Sequence, residues 1–302
     1  MKNTNSSTQP SIAVIGTGNM GAPMAINLVK AGLNVSAFDI ESEKLLPLVE
    51  HGVKSCSSHK EAVDAVDMIL TMLPSGDEVA DVFSNHIFNK VPRETLLIDS
   101  STIDLRTAQS IHQQADSAGN AMIDAPVSGG TVGAQSGNLT FMIGGDVSSL
   151  DRAKPALEAM GAKTIHCGGA GMGQAAKMCN NLMLGIQMIS VAEGFRLAQN
   201  TGLSEKVLYE VASNSSGNCA ALTAFNPIPD LLPNTPSSND YQPGFSNDLM
   251  LKDMKLALTA AYSTGTHLDI APVASSLYQA FTDAGFGGLD FSAIFKIHEN
   301  EK

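Results

Sequence analysis

Gln174, Lys177 and Asn181 are spaced by three and four residues, so on a helix they share one face. A lysine enclosed by apolar neighbours costs free energy unless it is paired or gives up its proton. Such an amine is pushed toward titrating near neutrality, where it can take a proton and return it. Asn181, one turn on, could orient the ammonium or bind the same substrate oxygen. The alternative is a structural lysine whose head reaches solvent along its own stem. The surrounding run, from Gly173 to about Ala198, is apolar on nearly every face, with Ala176, Met178, Cys179, Leu182, Met183, Ile186, Ile189, Val191 and Phe195. That pattern predicts a buried helix.

The elements that would position this helix lie ahead of it. Ser11-Ile-Ala-Val-Ile-Gly16 reads as a short buried strand, and Gly16-Thr17-Gly18-Asn19-Met20-Gly21 follows at once. A helix is expected from about Met20 to Ala31, stopped by Gly32, then a strand from Val35 to Phe38 that ends at Asp39. This is a dinucleotide fingerprint in its required context. Gly16 permits the tight turn, Gly18 lets backbone approach a pyrophosphate, and Gly21 lets helix and strand pack closely. The helix N-terminus offers free N–H groups to phosphate oxygens. Asp39 stands where a carboxylate binds ribose hydroxyls and repels an added phosphate, which favours NAD over NADP. A glycine-rich turn without ligand and a methyl-donor nucleotide site are the alternatives.

The strand–helix alternation continues. Strands are expected at Met68–Met72, ending in Leu73-Pro74-Ser75, and at Leu96–Asp99, ending in Ser100-Ser101-Thr102. Ligands on such sheets bind beyond the carboxyl ends of the strands, so both outlets could touch a cofactor. Ordinary turn chemistry at Pro74 and an N-cap near Asp104 would explain the same residues. The strand Ala121–Ala125 leads into Asp124-Ala-Pro-Val-Ser128-Gly129-Gly130, a loop whose hydroxyl and backbone N–H donors suit a carboxylate. A plain loop is the simpler reading of it. Further strands are expected at Leu139–Ile143 and Thr164–Cys167, with a helix from about Ser148 to Met160 between them.

After the glycines at 168, 169, 171 and 173 the strand pattern stops. Helices are expected at Ser204–Ser213, Asn247–Tyr262, Pro272–Ala284 and Ser292–Glu299. The stretch from Asn226 to Gln242 holds four prolines and suggests a lid or a subunit contact. Lys252 and Asp253 could pair or face a site, although a solvated charged face is the commoner explanation. The fold class is therefore α/β: a Rossmann-type doubly wound sheet over 1–172, then an all-α substrate and dimerisation domain over 173–302, joined by a long interdomain helix.

Composition narrows the partners. Net charge is −12 at pH 7, which argues against nucleic acid or an anionic membrane but leaves room for a small acidic substrate in a locally positive pocket. The four cysteines, Cys56, Cys167, Cys179 and Cys219, form no Cys-x-x-Cys, pointing to a reducing, cytoplasmic setting with no zinc or other metal site. Residues 1–10 are polar and carry no visible signal or transit peptide, and no apolar run is uniform enough to span a bilayer.

Four separated motifs occur in order: Gly16-x-Gly18-x-Met20-Gly21-x-Pro23-Met24, Asp124-Ala-Pro-Val-Ser-Gly-Gly130, Gly173-Gln-Ala-Ala-Lys-x-Cys-Asn-Asn181 and Leu249-x-x-Lys252-Asp253. With Ile98-Asp-Ser-Ser-Thr-Ile, Ser136-Gly-Asn-Leu-Thr-Phe-Met-Ile-Gly-Gly and Asn226-Pro-x-Pro, the chain resembles the β-hydroxyacid dehydrogenase family from Ile12 almost to the C-terminus. The resemblance implies NAD-dependent oxidation of a small 3-hydroxy acid to its semialdehyde by a homodimer or homotetramer. Lys177 would be the catalytic lysine, with Asn181 assisting, and Ser128, Gly129 and Gly130 would hold the substrate carboxylate. The cofactor would lie on Gly16, Thr17, Gly18, Asn19, Met20, Gly21 and Asp39, and on Leu73, Pro74, Thr102, Phe245 and Lys252. One departure stands out. Close relatives carry an Arg-Cys-Trp-like sequence after Ser-Ser-Gly, whereas here Ser215-Ser-Gly217 precedes Asn218-Cys219-Ala220. If that stretch lines the substrate pocket, loss of a large aromatic changes its size and admits serine or another short hydroxy acid. A semialdehyde reductase, a non-catalytic NAD sensor and an imine reductase are the rivals; the last places other residues at the lysine position.

Overall fold

The computed structural model describes residues 9–298. The expected absence of a leader over residues 1–10 falls almost wholly outside that range, as does the last residue of the helix expected at Ser292–Glu299. The chain forms two compact units that change over between Lys177 and Met178.

In the first unit, β1 (Ser11–Ile15), α1 (Gly21–Lys30) and β2 (Asn34–Phe38) open a βαβ motif. The single turns α2 (Leu46–Val49) and α3 (His59–Ala62) flank β3 (Lys54–Ser55). Then follow β4 (Met68–Thr71), α4 (Gly76–Val82), β5 (Leu96–Asp99), α5 (Leu105–Ala118) and β6 (Met122–Asp124). Strand order β3-β2-β1-β4-β5-β6 is parallel throughout, the order of a doubly wound dinucleotide-binding sheet. The sheet is extended by β7 (Val127–Ser128), β8 (Leu139–Gly145) and β9 (Gly161–Gly168), with α6 (Gly130–Ser136) and α7 (Val147–Met160) between them. Strand β8 runs antiparallel to β6 and β7 and parallel to β9.

Both sheet faces are covered, as the alternation along β1 shows. Ile12 and Val14 pack with Met24 and Leu28 of α1 and Leu157 of α7, while Ala13 and Ile15 pack with Val79 of α4 and Ile111 of α5. A strand buried on both sides needs an unbroken apolar run, and β1 is one. Helix starts follow local chemistry. Ser75 Oγ accepts from Asp77 N at α4, and Asp104 Oδ1 accepts from Thr107 N at 2.8 Å at α5.

Helix α8 (Met172–Thr201) begins in the first unit and continues into the second. The second unit adds α9 (Glu205–Ser213), α10 (Ala220–Thr223), α11 (Asn247–Thr264) and α12 (Ala271–Phe281). Its core gathers Met188, Phe195, Met250, Met254, Tyr278, Phe281 and Phe291. Helices α8 and α11 approach closely because residue 185 is glycine: a Cβ there would lie 2.8 Å from Met254 Sδ. The Tyr278 hydroxyl donates to Gly185 O at 2.9 Å. The proline-rich stretch is stitched to itself. Tyr241 Oη donates to Pro227 O at 2.7 Å and Ser237 Oγ to Asn226 O at 2.6 Å. Among the described residues, no helix is long and apolar enough to cross a membrane.

The structure corrects three readings and adds one short strand. Helix α8 is not buried all round: Cys179 is exposed, as are Met183 and Leu197, and these lie on a single face of the helix. Apolar composition alone did not distinguish a core helix from one with an open apolar stripe. The loop expected after Asp124 is instead strand β7 running straight into helix α6, because Val127 and Ser128 pair with Phe141 and Thr140. Strand β3 is only two residues long, too short for a hydrophobic period. The last helix is a 3₁₀ turn over Phe291–His298.

Candidate active site

The glycine turn has the form its sequence requires. Gly16 has φ +92°, and a Cβ there would sit 2.3 Å from Met72 O. A Cβ at Gly21 would sit 2.0 Å from Gly16 O, so helix and turn touch backbone to backbone. At Gly18 a Cβ would meet nothing within 4 Å. The turn therefore keeps an open surface at Gly18 that packing does not explain and that a pyrophosphate fits. Helix α1 has no side-chain cap on its first N–H groups, which a phosphate oxygen could satisfy. Asn19 is exposed and Met20 half-buried.

Asp39 is buried at the end of β2 and tied to this turn. Its Oδ2 accepts from Thr17 N at 2.7 Å and from Thr17 Oγ1 at 3.2 Å, and its Oδ1 accepts from Glu41 N at 2.9 Å. Ile40 and Glu41 follow it in sequence, and the nearby Lys44 ammonium, which feels the Asp39 charge, is paired with Glu41 at 2.6 Å.

The outlets of β4 and β5 are joined. Leu73 N donates to Ser101 Oγ at 2.9 Å, and Ser101 N donates to Asp99 Oδ1 at 3.1 Å. Pro74 is exposed and Thr102 half-buried. Full burial pushes the Asp99 carboxyl above the usual carboxylate range, against hydrogen bonds from Ser101 and Thr71 that favour the anion. At the outlet of β7, Ser128 is half-buried and Gly129 exposed, with Gly129 and Gly130 at φ +130° and +59°. Side chains rarely adopt those angles, so the sharp entry into α6 depends on glycine.

Asp124, at the end of β6, anchors the start of α8. Its Oδ1 accepts from Gly171 N at 2.8 Å and its Oδ2 from Gln174 N at 2.9 Å, while His112 Nε2 lies 2.9 Å from Oδ1. A carboxylate at a helix N-terminus satisfies its orphan donors and complements the dipole. Gln174 is fully buried. Its Nε2 donates to Ser101 O at 2.7 Å and its Oε1 accepts from Ile103 N at 3.1 Å. Lys177 is buried at 7% exposure.

One turn further on, in the second unit, Asn181 is 2% exposed. Its Nδ2 donates to Asp253 Oδ2 at 2.5 Å, and its Oδ1 accepts from Asn180 Nδ2 at 3.0 Å. Asp253 is itself buried, and Lys252 Nζ lies 3.7 Å from its Oδ1. The Lys252-Asp253 pair is therefore not a solvated charged face. Phe245 is half-buried and packs edge-on against Phe291, with centroids 5.9 Å apart. Its backbone N donates to Asp290 Oδ2.

Sequence reasoning missed Asp124 and Asp253 as anchors. Asp124 stood inside a quoted motif, yet its partners lie 47 and 50 residues away at the start of α8. A hint for Asp253 was available: it follows Met250 and Leu251 and precedes Met254 in a helix, at a spacing that faces the core.

Two family models together match almost the whole described chain. The NAD binding domain of 6-phosphogluconate dehydrogenase matches residues 11–169, and the NAD-binding domain of NADP-dependent 3-hydroxyisobutyrate dehydrogenase matches residues 171–298. With the glycine turn and Asp39, they define the class: an NAD-dependent oxidoreductase acting on a CH–OH group. A probable 3-hydroxyisobutyrate dehydrogenase of Mycobacterium tuberculosis is 46% identical over 283 residues, covering 94% of this chain and 96% of its own. An NAD-dependent L-serine dehydrogenase of Pseudomonas aeruginosa is 41% identical, covering 95% and 97%. The solved structure of a Mycobacterium tuberculosis 3-hydroxyisobutyrate dehydrogenase with L-serine has TM-score 0.92 and 44% identity, covering 98% of this chain and 100% of that one. The chain belongs to the 3-hydroxyisobutyrate dehydrogenase family.

Proposed function

We propose that this enzyme oxidises 3-hydroxyisobutyrate to methylmalonate semialdehyde, the chemistry of valine breakdown, with Lys177 as general acid and base. The observation that carries this reading is the burial of Lys177 three residues beyond Gln174, on a helix start that Asp124 and Gln174 fasten to the sheet.

Bound NAD supplies the acceptor for the hydride that leaves the carbinol carbon. The residues of this chain do the rest. Hydride leaves with its electron pair, so positive charge would build on the carbinol carbon and oxygen, as a protonated carbonyl, unless the hydroxyl proton departs. Lys177 as the neutral amine takes that proton, and as the ammonium it returns the proton in the reverse direction. Asn181 holds the same oxygen, its amide oriented by Asp253. Ser128 with the backbone N–H groups of Gly129 and Gly130 binds the carboxylate and fixes which carbon is presented. Thr17, Gly18, Asn19, Met20 and Asp39 hold the dinucleotide, with Leu73, Pro74, Thr102, Phe245 and Lys252 completing its contacts. The same reading makes the enzyme a cytoplasmic homodimer or homotetramer.

L-Serine is the second reading. Asn218-Cys219-Ala220 replaces an aromatic-bearing stretch, and one relative and one solved structure are named for serine. The test is a panel of 3-hydroxyisobutyrate, 3-hydroxypropionate, L-serine and glycerate, each with NAD and with NADP. The highest kcat/KM is expected for 3-hydroxyisobutyrate with NAD. A higher value for L-serine selects the second reading, and no turnover with any of the four contradicts both.

A further inference from the structure

We infer that Gln174 is a positioning residue that sets the register between the cofactor-contacting loops and the helix bearing Lys177; this rests on the reading of Lys177 given above. Its side-chain amide is spent entirely on one loop, donating to Ser101 O and accepting from Ile103 N, at 2.7 and 3.1 Å. Only one orientation of the amide satisfies both backbone groups, so the side chain is fixed in rotation as well as place. Between those two anchor points lies Thr102. Ser101 in turn receives Leu73 N on its hydroxyl, so the outlets of β4 and β5 move with the same clamp.

The other end of the clamp is the helix itself. Gln174 N donates to Asp124 Oδ2, and Lys177 follows by three residues on the same face. A chain of bonds thus runs from Leu73 through Ser101 and Gln174 to the backbone that carries the lysine, with every member buried or half-buried. Proton transfer and hydride transfer must be aligned together, and small misplacements are costly to rate. Gln174 touches neither reacting atom in this scheme. It holds the two loops and the amine in one rigid frame.

The test is Gln174→Met, which keeps the side chain's length and removes both bonds. Expected are a kcat lower by about tenfold or more and a larger primary isotope effect with substrate deuterated at the carbinol carbon. NADH affinity, read by its fluorescence, should stay within about twofold. A lower Tm with wild-type kcat and isotope effect would make Gln174 merely structural and overturn the inference. Lys177→Ala in the same assay separates the two claims. An inactive Lys177→Ala beside a wild-type-like Gln174→Met removes only the clamp, whereas an active Lys177→Ala removes the reading beneath it. Should Gln174→Met not fold, Gln174→Glu keeps the shape and the acceptor for Ile103 N and removes the N–H donated to Ser101 O. The same split is expected there, and wild-type kcat and isotope effect would again overturn the inference.

Discussion

The amide of Asn181 donates to the carboxylate of Asp253, 72 residues further along the chain, and both side chains are buried. That bond fixes which way the Asn181 carboxamide faces. It leaves the Oδ1 atom, already in contact with Asn180, as the acceptor end. Replacing Asp253 by Asn exchanges a charged acceptor for a neutral one and lets the Asn181 amide turn. A hydrogen bond to a charged group contributes about 1.5–3 kcal/mol, so kcat should fall roughly ten- to a hundredfold if the orientation matters to turnover. Steady-state kinetics on folded Asp253→Asn decide it, and an unchanged kcat would show that the bond serves packing alone.

Two glycines of the first turn, Gly18 and Gly21, should separate by substitution. Gly21→Ala forces a Cβ to within 2.0 Å of Gly16 O, and it should lower stability by about 2 kcal/mol or more. Gly18→Ala meets nothing in the protein, so Tm should stay at the wild-type value while NAD affinity drops. Thermal melts paired with NADH titration check both. A Gly18→Ala variant that binds NADH normally would place the pyrophosphate elsewhere.

Asp39→Ala removes the acceptor of Thr17 N and, in the scheme above, the partner of the ribose hydroxyls. The KM for NAD should rise about tenfold, a loss of roughly 1.4 kcal/mol, and discrimination against NADP should relax. Kinetics with both cofactors measure it; an unchanged preference would remove Asp39 from the site.

Acid stability should depend on His59. Its ring stacks on His86, centroids 4.0 Å apart and planes 9° from parallel, and tilts against Phe38 at 4.2 Å. Burial first, and the neighbouring His86 second, lower its imidazole to about 4 from an ordinary 6.5, with Asp81 opposing. The unfolded chain therefore binds more protons between those values. Stability is complete above about pH 6.5 and is lost as pH falls toward 4. His59→Phe keeps a ring in the stack without the titration, so its Tm should fall less across that window. Parallel Tm curves for the two proteins would refute this.

Much of this architecture was legible in the residues. The strands β1, β2, β4, β5 and β8 were readable because each is a compact apolar run with a glycine, proline or polar outlet. Buried Lys177 was readable from its apolar neighbours at helical spacing. The remainder depended on distance in sequence. Strand β7 exists through pairing with β8 rather than through its own two residues. The anchoring of α8 by Asp124 joins groups about fifty residues apart, and nothing local to either announces it. The open stripe of α8 at Met183 and Leu197 looked like core because hydrophobicity does not state what covers it.

The central claim is that the Lys177 amine carries the proton during hydride transfer. Lys177→Ala, assayed for turnover of the best substrate in the panel and titrated with NADH, tests it most directly. The account predicts loss of turnover by about a thousandfold or more with NADH binding retained. Turnover near the wild-type rate in that variant would contradict it.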